Sequence, residues 1–140
     1  VVGRGAIARV VYVKAFIDGE YLSTYKVDGV LVCTATGSTG YNLAVGGPVL
    51  YPQATEMIIS PIAAHLSMSY SLVLLPTTTV ELEVHTDHQA TCSIDGQVEL
   101  PLQDNHRVRV RISSRRTCLL RIHPPAHFYS VLEQRLRGVN

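Results

Sequence analysis

The hydrophobic residues of this chain come in short runs separated by glycine, proline and aspartate, a pattern typical of β-strands joined by turns. Residues 6–17 are rich in β-branched and aromatic side chains, Asp18-Gly19 supplies a tight-turn signal, and residues 21–26 follow. This order predicts a β-hairpin.

A continuous apolar run at residues 30–33 predicts a strand that is buried on both faces. The next segment, residues 34–40, consists of small hydroxyl residues and glycines and is expected to be a loop. Residues 41–45 can then form a short helix, which Gly-Gly-Pro at 46–48 would end. The local order is therefore strand, hydroxyl-rich loop and helix.

Further strands are predicted at residues 57–59, 72–75, 80–84, 90–94, 107–112 and 117–122. Asp95-Gly96 supplies a second hairpin turn after the fourth of these. In residues 107–112 arginines alternate with apolar side chains, which places the arginines on one face of a half-buried strand. Apolar residues at 128, 131, 132 and 136 match one face of a terminal helix.

Many short strands and few helices favour a mainly β fold, namely a two-layer antiparallel β-sandwich with one short helix after the Gly/Thr-rich loop and a short C-terminal helix. The 140 residues suit a single domain. The chain starts without an initiator methionine or a leader, so we expect a piece of a longer protein. No apolar run reaches the roughly 18 to 20 residues of a membrane-spanning helix.

The net charge is only +1, although residues 105–140 carry eight arginines against one acid, Glu133. These arginines lack interleaved aromatic residues, so nucleic-acid binding is not favoured. We expect the arginine face of residues 107–112 to be solvated rather than bound to phosphate or to an acidic subunit. The three cysteines, Cys33, Cys92 and Cys118, are expected to be buried free thiols, which fits a reducing cytoplasm.

Candidate chemistry is concentrated in residues 28–48, where Asp28 precedes the buried strand and hydroxyls and glycines follow it. Thr34, Thr36, Ser38 and Thr39 offer donors and acceptors that suit ribose hydroxyls and phosphate oxygens. A strand-to-helix turn with hydroxyl caps explains the composition equally well. The segment is neither a Walker loop nor a GxGxxG fingerprint.

Other constellations are weaker. His85 and His88 are expected on opposite faces with no third ligand nearby, so no metal site is predicted there. The remaining histidines are single, and no catalytic histidine is proposed. Ser38 lies in no GxSxG elbow, which argues against a hydrolase nucleophile.

The order of residues 28–48 resembles the NAD kinase family, whose signature is Asp-Gly, an apolar strand, Thr-Pro-Thr-Gly-Ser-Thr-Ala-Tyr and Gly-Gly-Pro. Here Asp28-Gly29 precedes the strand, residues 34–41 read Thr-Ala-Thr-Gly-Ser-Thr-Gly-Tyr, and residues 46–48 read Gly-Gly-Pro. The resemblance extends to residues 16–21, 60–62 with His65, and 93–97, and so covers nearly the whole chain.

The resemblance implies that Asp28 hydrogen-bonds the dinucleotide, that Thr36 and Thr39 contact its ribose or base, and that Tyr41 lines the same pocket. Ser38 and Gly40 belong to the same binding segment. Asp95 falls where family members place a residue near the NAD phosphates or the subunit contact, although a hairpin-turn aspartate is an equally good interpretation.

Two positions depart from the family pattern, which has proline where Ala35 stands and alanine where Gly40 stands. Gly40 loosens the loop and leaves space beside a ligand, so affinity or nucleotide preference is expected to differ. The family's Gly-Gly-Asp-Gly loop, which carries the catalytic aspartate, and its Asn-Glu or Asn-Asp pair do not occur here. We therefore expect the catalytic α/β domain to lie upstream, and this chain alone to bind poorly and to be inactive.

The resemblance implies a parent enzyme that transfers the terminal phosphoryl group of ATP, or of polyphosphate, to the 2′-hydroxyl of the adenosine ribose of NAD, with Mg²⁺. A cytoplasmic homodimer or homotetramer is expected. Two alternatives stay open on the sequence: a lipid kinase of the diacylglycerol or sphingosine type, and a non-catalytic dinucleotide-binding module.

Overall fold

The computed structural model describes residues 1–6, 9–65 and 69–137. One sheet has six strands: β1 (Val2–Arg4), β4 (Gly29–Thr34), β5 (Met57–Ile62), β6 (Leu72–Leu74), β8 (Ala90–Ile94) and β9 (Val98–Leu102). The other has four strands: β2 (Val11–Ile17), β3 (Glu20–Val27), β7 (Val80–His85) and β10 (Arg107–Val110). Three helices complete the described chain: α1 (Ala35–Ser38), α2 (Tyr41–Ala44) and α3 (His127–Arg137).

The strands of the larger sheet lie in the order β6-β5-β4-β1-β8-β9, and those of the smaller sheet in the order β10-β7-β2-β3. Each strand runs antiparallel to its neighbours in both sheets. Apolar side chains from the two facing layers form a shared core that includes Val13, Tyr25, Ile59, Leu82 and Cys92. The predicted mainly β, two-layer antiparallel sandwich is confirmed.

The predicted first hairpin is present, but its first strand begins at Val11 rather than at residue 6. Val11 pairs with Val27, where the partner strand ends, so pairing cannot continue further back along the chain. Asp18 and Gly19 both have positive φ at the turn. The Asp18 carboxylate accepts a hydrogen bond from the backbone N–H of Thr79 at 2.7 Å, which ties the turn to the start of β7.

The prediction of a strand at residues 117–122 is wrong. This segment is assigned no regular structure, and no described strand pairs with it. Leu120 is 96% exposed, and Leu119 and Ile122 are similarly uncovered. A β-forming sequence needs a neighbouring strand edge to satisfy its backbone, and that edge is a property of the tertiary arrangement.

The cysteines occupy three different environments. Cys92 is buried in the core as predicted, whereas Cys33 is half-buried and Cys118 is exposed. Burial raises the pKa of the Cys33 thiol. The expectation of a buried thiol is wrong for Cys118, because it lies in the segment that forms no strand.

The terminal helix is confirmed as α3, at residues His127–Arg137. Near its start, the rings of Phe128 and Tyr129 pack on Tyr51. Their centroids lie 5.5 and 5.7 Å, respectively, from the centroid of the Tyr51 ring. No helix in the described ranges combines the length and the apolarity needed to cross a membrane.

The outer face of the four-stranded sheet carries Arg107 and Arg109, which are exposed and also paired with the neighbouring strand β7. The predicted strand at residues 107–112 is shorter than expected, because β10 ends at Val110, so Arg111 lies beyond it. Arg109 Nε donates to Glu81 at 3.1 Å, and Arg107 Nε donates to Glu83 at 2.6 Å. Glu83 is only 9% exposed, and His85 Nε2 lies 2.7 Å from its second oxygen. Hydrogen bonds, first from Arg107 and then from His85, hold the pKa of Glu83 below its ordinary value.

A lowered carboxyl pKa stabilises the fold only while the group is ionised. Between the folded and unfolded pKa values the unfolded chain binds more protons, so stability rises with pH across that window. The contribution of Glu83 is therefore complete above the ordinary glutamate value of 4.5 and is lost as pH falls through the lower folded value.

We expect Glu83→Gln to lower the free energy of unfolding by about 1 to 3 kcal/mol at neutral pH, because the Arg107 and His85 bonds lose their charged acceptor. The difference from the parent chain should shrink as the pH falls below 4.5 and through the lowered folded pKa of Glu83, because the carboxylate then loses its charge. Urea unfolding at neutral pH and at a series of acidic pH values measures this. Glu20→Gln, at an exposed glutamate, is the control and should change stability little; a loss for Glu83→Gln that is independent of pH would contradict the assignment.

Candidate functional site

A cleft of about 510 Å³ lies on the outer face of the six-stranded sheet, and we call it the outer-face cleft. Its lining includes Gly3, Arg4, Asp28, Tyr41, Ser93 and Glu99. Val2 and Cys92 point into the core, so their strand neighbours face the opposite side, toward the cleft.

The floor of the outer-face cleft requires glycine at two paired positions. Gly3 on β1 lies opposite Gly29 on β4. A Cβ atom on Gly3 would lie 2.6 Å from the Asp28 carbonyl oxygen and 3.1 Å from the Gly29 Cα. The absence of side chains at these two positions therefore lets the two strands approach closely and leaves backbone at the floor of the cleft.

The backbone of Asp28 is held by hydrogen bonds to the strands on both sides. Its N–H donates to the Ile62 carbonyl at 3.0 Å, and its own carbonyl accepts from the Arg4 N–H at 2.9 Å. Its carboxylate lies 3.4 Å from Arg4 Nε, and about a third of each side chain is exposed (35% and 37%). The wall of the cleft thus presents a carboxylate and guanidinium pair on a backbone that is held on both sides, and a ligand can reach it.

The hydroxyl-rich segment is not the loop that was predicted, because residues 35–38 form the one-turn helix α1. A Cβ atom on Gly37 would lie 2.8 Å from Cys33 Cβ, so glycine lets this turn pack against the end of β4. Thr36 and Thr39 are exposed on its surface. The Thr39 hydroxyl reaches only the Thr36 carbonyl, at 3.5 Å.

Ser38 differs from the two threonines because it is fully buried. Its hydroxyl donates to the Ala35 carbonyl at 2.6 Å and accepts from the Leu50 N–H at 3.0 Å. In this geometry the hydroxyl makes both of its hydrogen bonds within the protein. Ser38 supports the binding segment from beneath, and direct contact with a ligand would require the turn to move.

Asn42, the neighbour of Tyr41, is a buried polar residue that sequence reasoning missed. It is fully buried, and its Nδ2 donates to the Pro48 carbonyl at 2.9 Å and to the Ser38 carbonyl at 3.3 Å. Its Oδ1 accepts from Ser60 Oγ at 2.7 Å. A signal was available, since asparagine is unfavourable inside a helix unless its amide bonds elsewhere.

The glycine pair after α2 serves two separate purposes. Gly46 has φ +83° and ends the helix in the left-handed conformation, as the sequence predicted. Gly47 lies against Asn42, and a Cβ atom there would overlap the Asn42 amide. Space for the buried amide therefore depends on the second glycine.

The structure brings Asp28 and Tyr41 together in the outer-face cleft. Thr36, Thr39 and Gly40 lie on the turns just before Tyr41 and do not line the cleft.

Asp95 lies apart, at the β8–β9 turn with φ 52°, and lines a second cleft of about 360 Å³ between the sheets. Sequence reasoning did not propose Arg4, Ser93 or Glu99 as site residues, although Ser93 lies in the segment 93–97 that resembles the family.

His85 and His88 bind different groups. His85 contacts Glu83, whereas His88 Nδ1 lies 3.2 Å from the Gln89 carbonyl. Across the described ranges, no three His, Cys, Asp or Glu side chains converge on a common point that could hold a metal ion.

The outer-face cleft suits a polar ligand with a flat ring. The Asp28 carboxylate can accept hydrogen bonds from hydroxyl or amide groups, and Arg4 and Ser93 add donors. The Tyr41 side chain is 53% exposed and offers a ring face. The arrangement can orient such a ligand by several contacts at once.

Comparison with known proteins gives consistent matches. The family model of the ATP-NAD kinase C-terminal domain matches residues 1–122. An NAD kinase from Dehalococcoides mccartyi (strain CBDB1) is 46% identical over 140 residues, and one from Chloroflexus aggregans (strain MD-66 / DSM 9485) is 40% identical over 137. These matches cover 100% and 98% of this chain, respectively. The chain spans only about half the length of each relative (49% and 50%).

Two solved structures are similar to the chain. An NAD kinase from Archaeoglobus fulgidus in complex with ATP gives a TM-score of 0.83 at 24% identity, over 99% of this chain and 53% of that one, which shows a shared fold. A yeast NADH kinase complexed with NADH gives a TM-score of 0.64 at 28% identity, over 78% of this chain and 33% of that one.

We expect Gly47→Ala to destabilise the chain by about 1 to 3 kcal/mol, since the added methyl group overlaps the buried Asn42 amide. Gly40→Ala is the matched control, because its Cβ atom would lie 3.4 Å from the nearest atom, the Gly37 carbonyl oxygen. That variant should be neutral or more stable by about 0.4 to 1 kcal/mol. Thermal unfolding compares the two, and equal effects would contradict the close contact at Gly47.

Proposed function

Because this chain belongs to the ATP-NAD kinase C-terminal domain family, we propose that its outer-face cleft is the part of an NAD kinase that holds the dinucleotide. The observation that carries the proposal is the convergence of Asp28 and Tyr41 on one cleft. They come from the strand start and the helix of a single motif, and Arg4 fixes the orientation of the carboxylate.

In the whole enzyme, the terminal phosphoryl group of ATP or polyphosphate is transferred to the 2′-hydroxyl of the adenosine ribose of NAD. The contribution of this chain is to position the ribose, because orientation of the acceptor lowers the entropic part of the barrier. We propose that the base that removes the hydroxyl proton lies in the part of the enzyme outside this chain. The reaction is supported by the family and by the NAD kinase names of the relatives.

Each site residue has a chemical role in this proposal. Asp28 accepts hydrogen bonds from hydroxyl or amide groups of the dinucleotide, as carboxylates do for ribose. The Tyr41 ring packs against a flat ring of the ligand. Thr36 and Thr39 contact the ribose or base from the adjacent turn, and Gly40 leaves room beside them.

Ser38 acts indirectly by holding the segment in place, given its burial and its two bonds within the protein.

Asp95 remains a predicted contact with the NAD phosphates or with a neighbouring subunit. A homodimer or homotetramer in the cytoplasm is part of the proposal.

Phosphoryl transfer from ATP commonly uses Mg²⁺ to offset phosphate charge. The described residues of this chain do not fit a magnesium site, because the Asp28 carboxylate is paired with Arg4 and no acidic cluster accompanies it. No step is assigned to a metal held by this chain.

The dinucleotide site can be tested directly on the chain. Titration of the ¹⁵N-labelled chain with NAD in the millimolar range should shift the amide resonances around Asp28 and Tyr41. Asp28→Asn should weaken binding about tenfold, because it removes a charged hydrogen-bond acceptor. Tyr41→Ala should weaken binding about three- to tenfold through the lost ring contact.

Tyr12→Ala is the matched control for the tyrosine variant, since Tyr12 is also exposed but lies on the other sheet. Its NAD affinity should equal that of the parent chain. Resonance shifts confined to other surfaces, or equal affinities for all the variants, would overturn the assignment of the cleft.

Catalysis can be tested by joining this chain to the part of the Dehalococcoides mccartyi relative that it does not cover, in the arrangement of that protein. The chimaera should form NADP from NAD and ATP, and chimaeras carrying Asp28→Asn should show a raised KM for NAD. NADP is measured with a coupled dehydrogenase. A folded chimaera that phosphorylates diacylglycerol or sphingosine instead, or that binds NAD without forming NADP, would contradict the proposed reaction.

A further inference from the structure

Helix α2 presents one residue to the cleft and the next to the protein interior. Tyr41 is exposed at the cleft, whereas its neighbour Asn42 is fully buried. The helix has only four residues, and its N-cap residue, Gly40, has no side chain that could cap the helix. Such a short helix is unstable by itself, so the position of Tyr41 must be set by tertiary contacts.

The Asn42 amide provides those contacts in three directions. Its Nδ2 bonds the Ser38 carbonyl before the helix and the Pro48 carbonyl after it, while Ser60 Oγ donates to its Oδ1. The backbone carbonyl of Asn42 also accepts from the Gly47 N–H at 2.8 Å. These bonds close the chain around the helix and attach it to β5.

The attachment continues across the sheet. The oxygens of Ser60 and Ser71 lie 2.7 Å apart. A serine hydroxyl has one proton, and that of Ser60 is donated to Asn42, so Ser71 is the donor in this second bond. The Ser71–Ser60–Asn42 chain therefore has a defined direction that ends at the amide oxygen.

The same strand also holds the other half of the site. The Ile62 carbonyl of β5 accepts the Asp28 N–H, and Ser60, two residues earlier, bonds Asn42. Asp28 and the helix that carries Tyr41 are thus both hydrogen-bonded to the same short stretch of β5. That strand is buried along its whole length and pairs with β4 over six positions, so it provides a well-ordered attachment for both.

We propose that Asn42 is a positioning residue, which fixes the Tyr41 ring relative to the Asp28 carboxylate through its bond to Ser60. The identity of the ligand in this inference depends on the function proposed above, whereas the fixing of the ring can be measured without any ligand. Asn42 touches no ligand in this role and acts only through its neighbour.

Fluorine NMR of the chain labelled with 3-fluorotyrosine tests the fixing of the ring directly. One of the seven tyrosine resonances is assigned to Tyr41 by its loss in Tyr41→Phe. Asn42→Ala and Ser60→Ala should broaden that resonance or move it toward the shift of the unfolded chain. Both variants should lower NAD affinity, and about tenfold is expected for Asn42→Ala.

Two controls separate positioning from general stability. Ser71→Ala leaves all bonds to Asn42 in place and should change the Tyr41 resonance much less than Ser60→Ala. Glu83→Gln weakens the fold on the opposite sheet and should leave both the resonance and the NAD affinity unchanged. If Asn42→Ala does not unfold cooperatively, Ser60→Ala carries the test, because it keeps both amide donor bonds.

The outcomes distinguish this inference from the function on which it depends. An unchanged Tyr41 resonance in Ser60→Ala, or an equal change in Glu83→Gln, overturns the positioning role. A changed resonance with unchanged NAD affinity also overturns it as a property of the dinucleotide site. If the parent chain binds no NAD, the proposed function fails, while the resonance still reports whether Asn42 fixes the ring.

Discussion

The buried amide of Asn42 is the interaction on which the geometry of the cleft depends. A buried amide must satisfy its donors and its acceptor inside the protein, since leaving one unpaired costs about 1 to 3 kcal/mol. The sequence meets this demand by placing Ser38, Pro48 and Ser60 within reach. The same bonds that satisfy the amide therefore define where the short helix and its tyrosine stand.

Close backbone approach is the second constraint on the site. The glycine at position 47 makes room for the amide, Gly37 lets α1 pack on the end of β4, and Gly3 lets β1 lie against Gly29. Each glycine stands where a Cβ atom would collide with a neighbour. Of the three, Gly3 lines the cleft itself, where the exposed backbone allows a ligand to approach the strands closely.

The two outer faces of the sandwich are chemically different. The four-stranded sheet carries cross-strand pairs such as Arg107 with Glu83 and Arg109 with Glu81, and these balance the local charge. The six-stranded sheet instead carries small residues and the Asp28–Arg4 pair around an open cleft. The core between them is apolar and shared, so one face can hold a site while the other contributes to stability.

The sequence alone determined most of the strands, the two aspartate-glycine hairpin turns, the sandwich and the segment that contains the site. These features follow from side-chain alternation and turn chemistry, which act over a few residues. Its resemblance to the family also selected Asp28 and Tyr41, which both line the outer-face cleft.

Only the tertiary structure decided the partners of these elements. Whether residues 117–122 pair with a strand edge, whether Ser38 faces the cleft or the interior, and whether Arg4 meets Asp28 all depend on elements distant in the chain. The same is true of Asn42, whose partner Ser60 lies eighteen residues away. Local patterns cannot specify such contacts, because they form only once the strands have taken their places in the sheet.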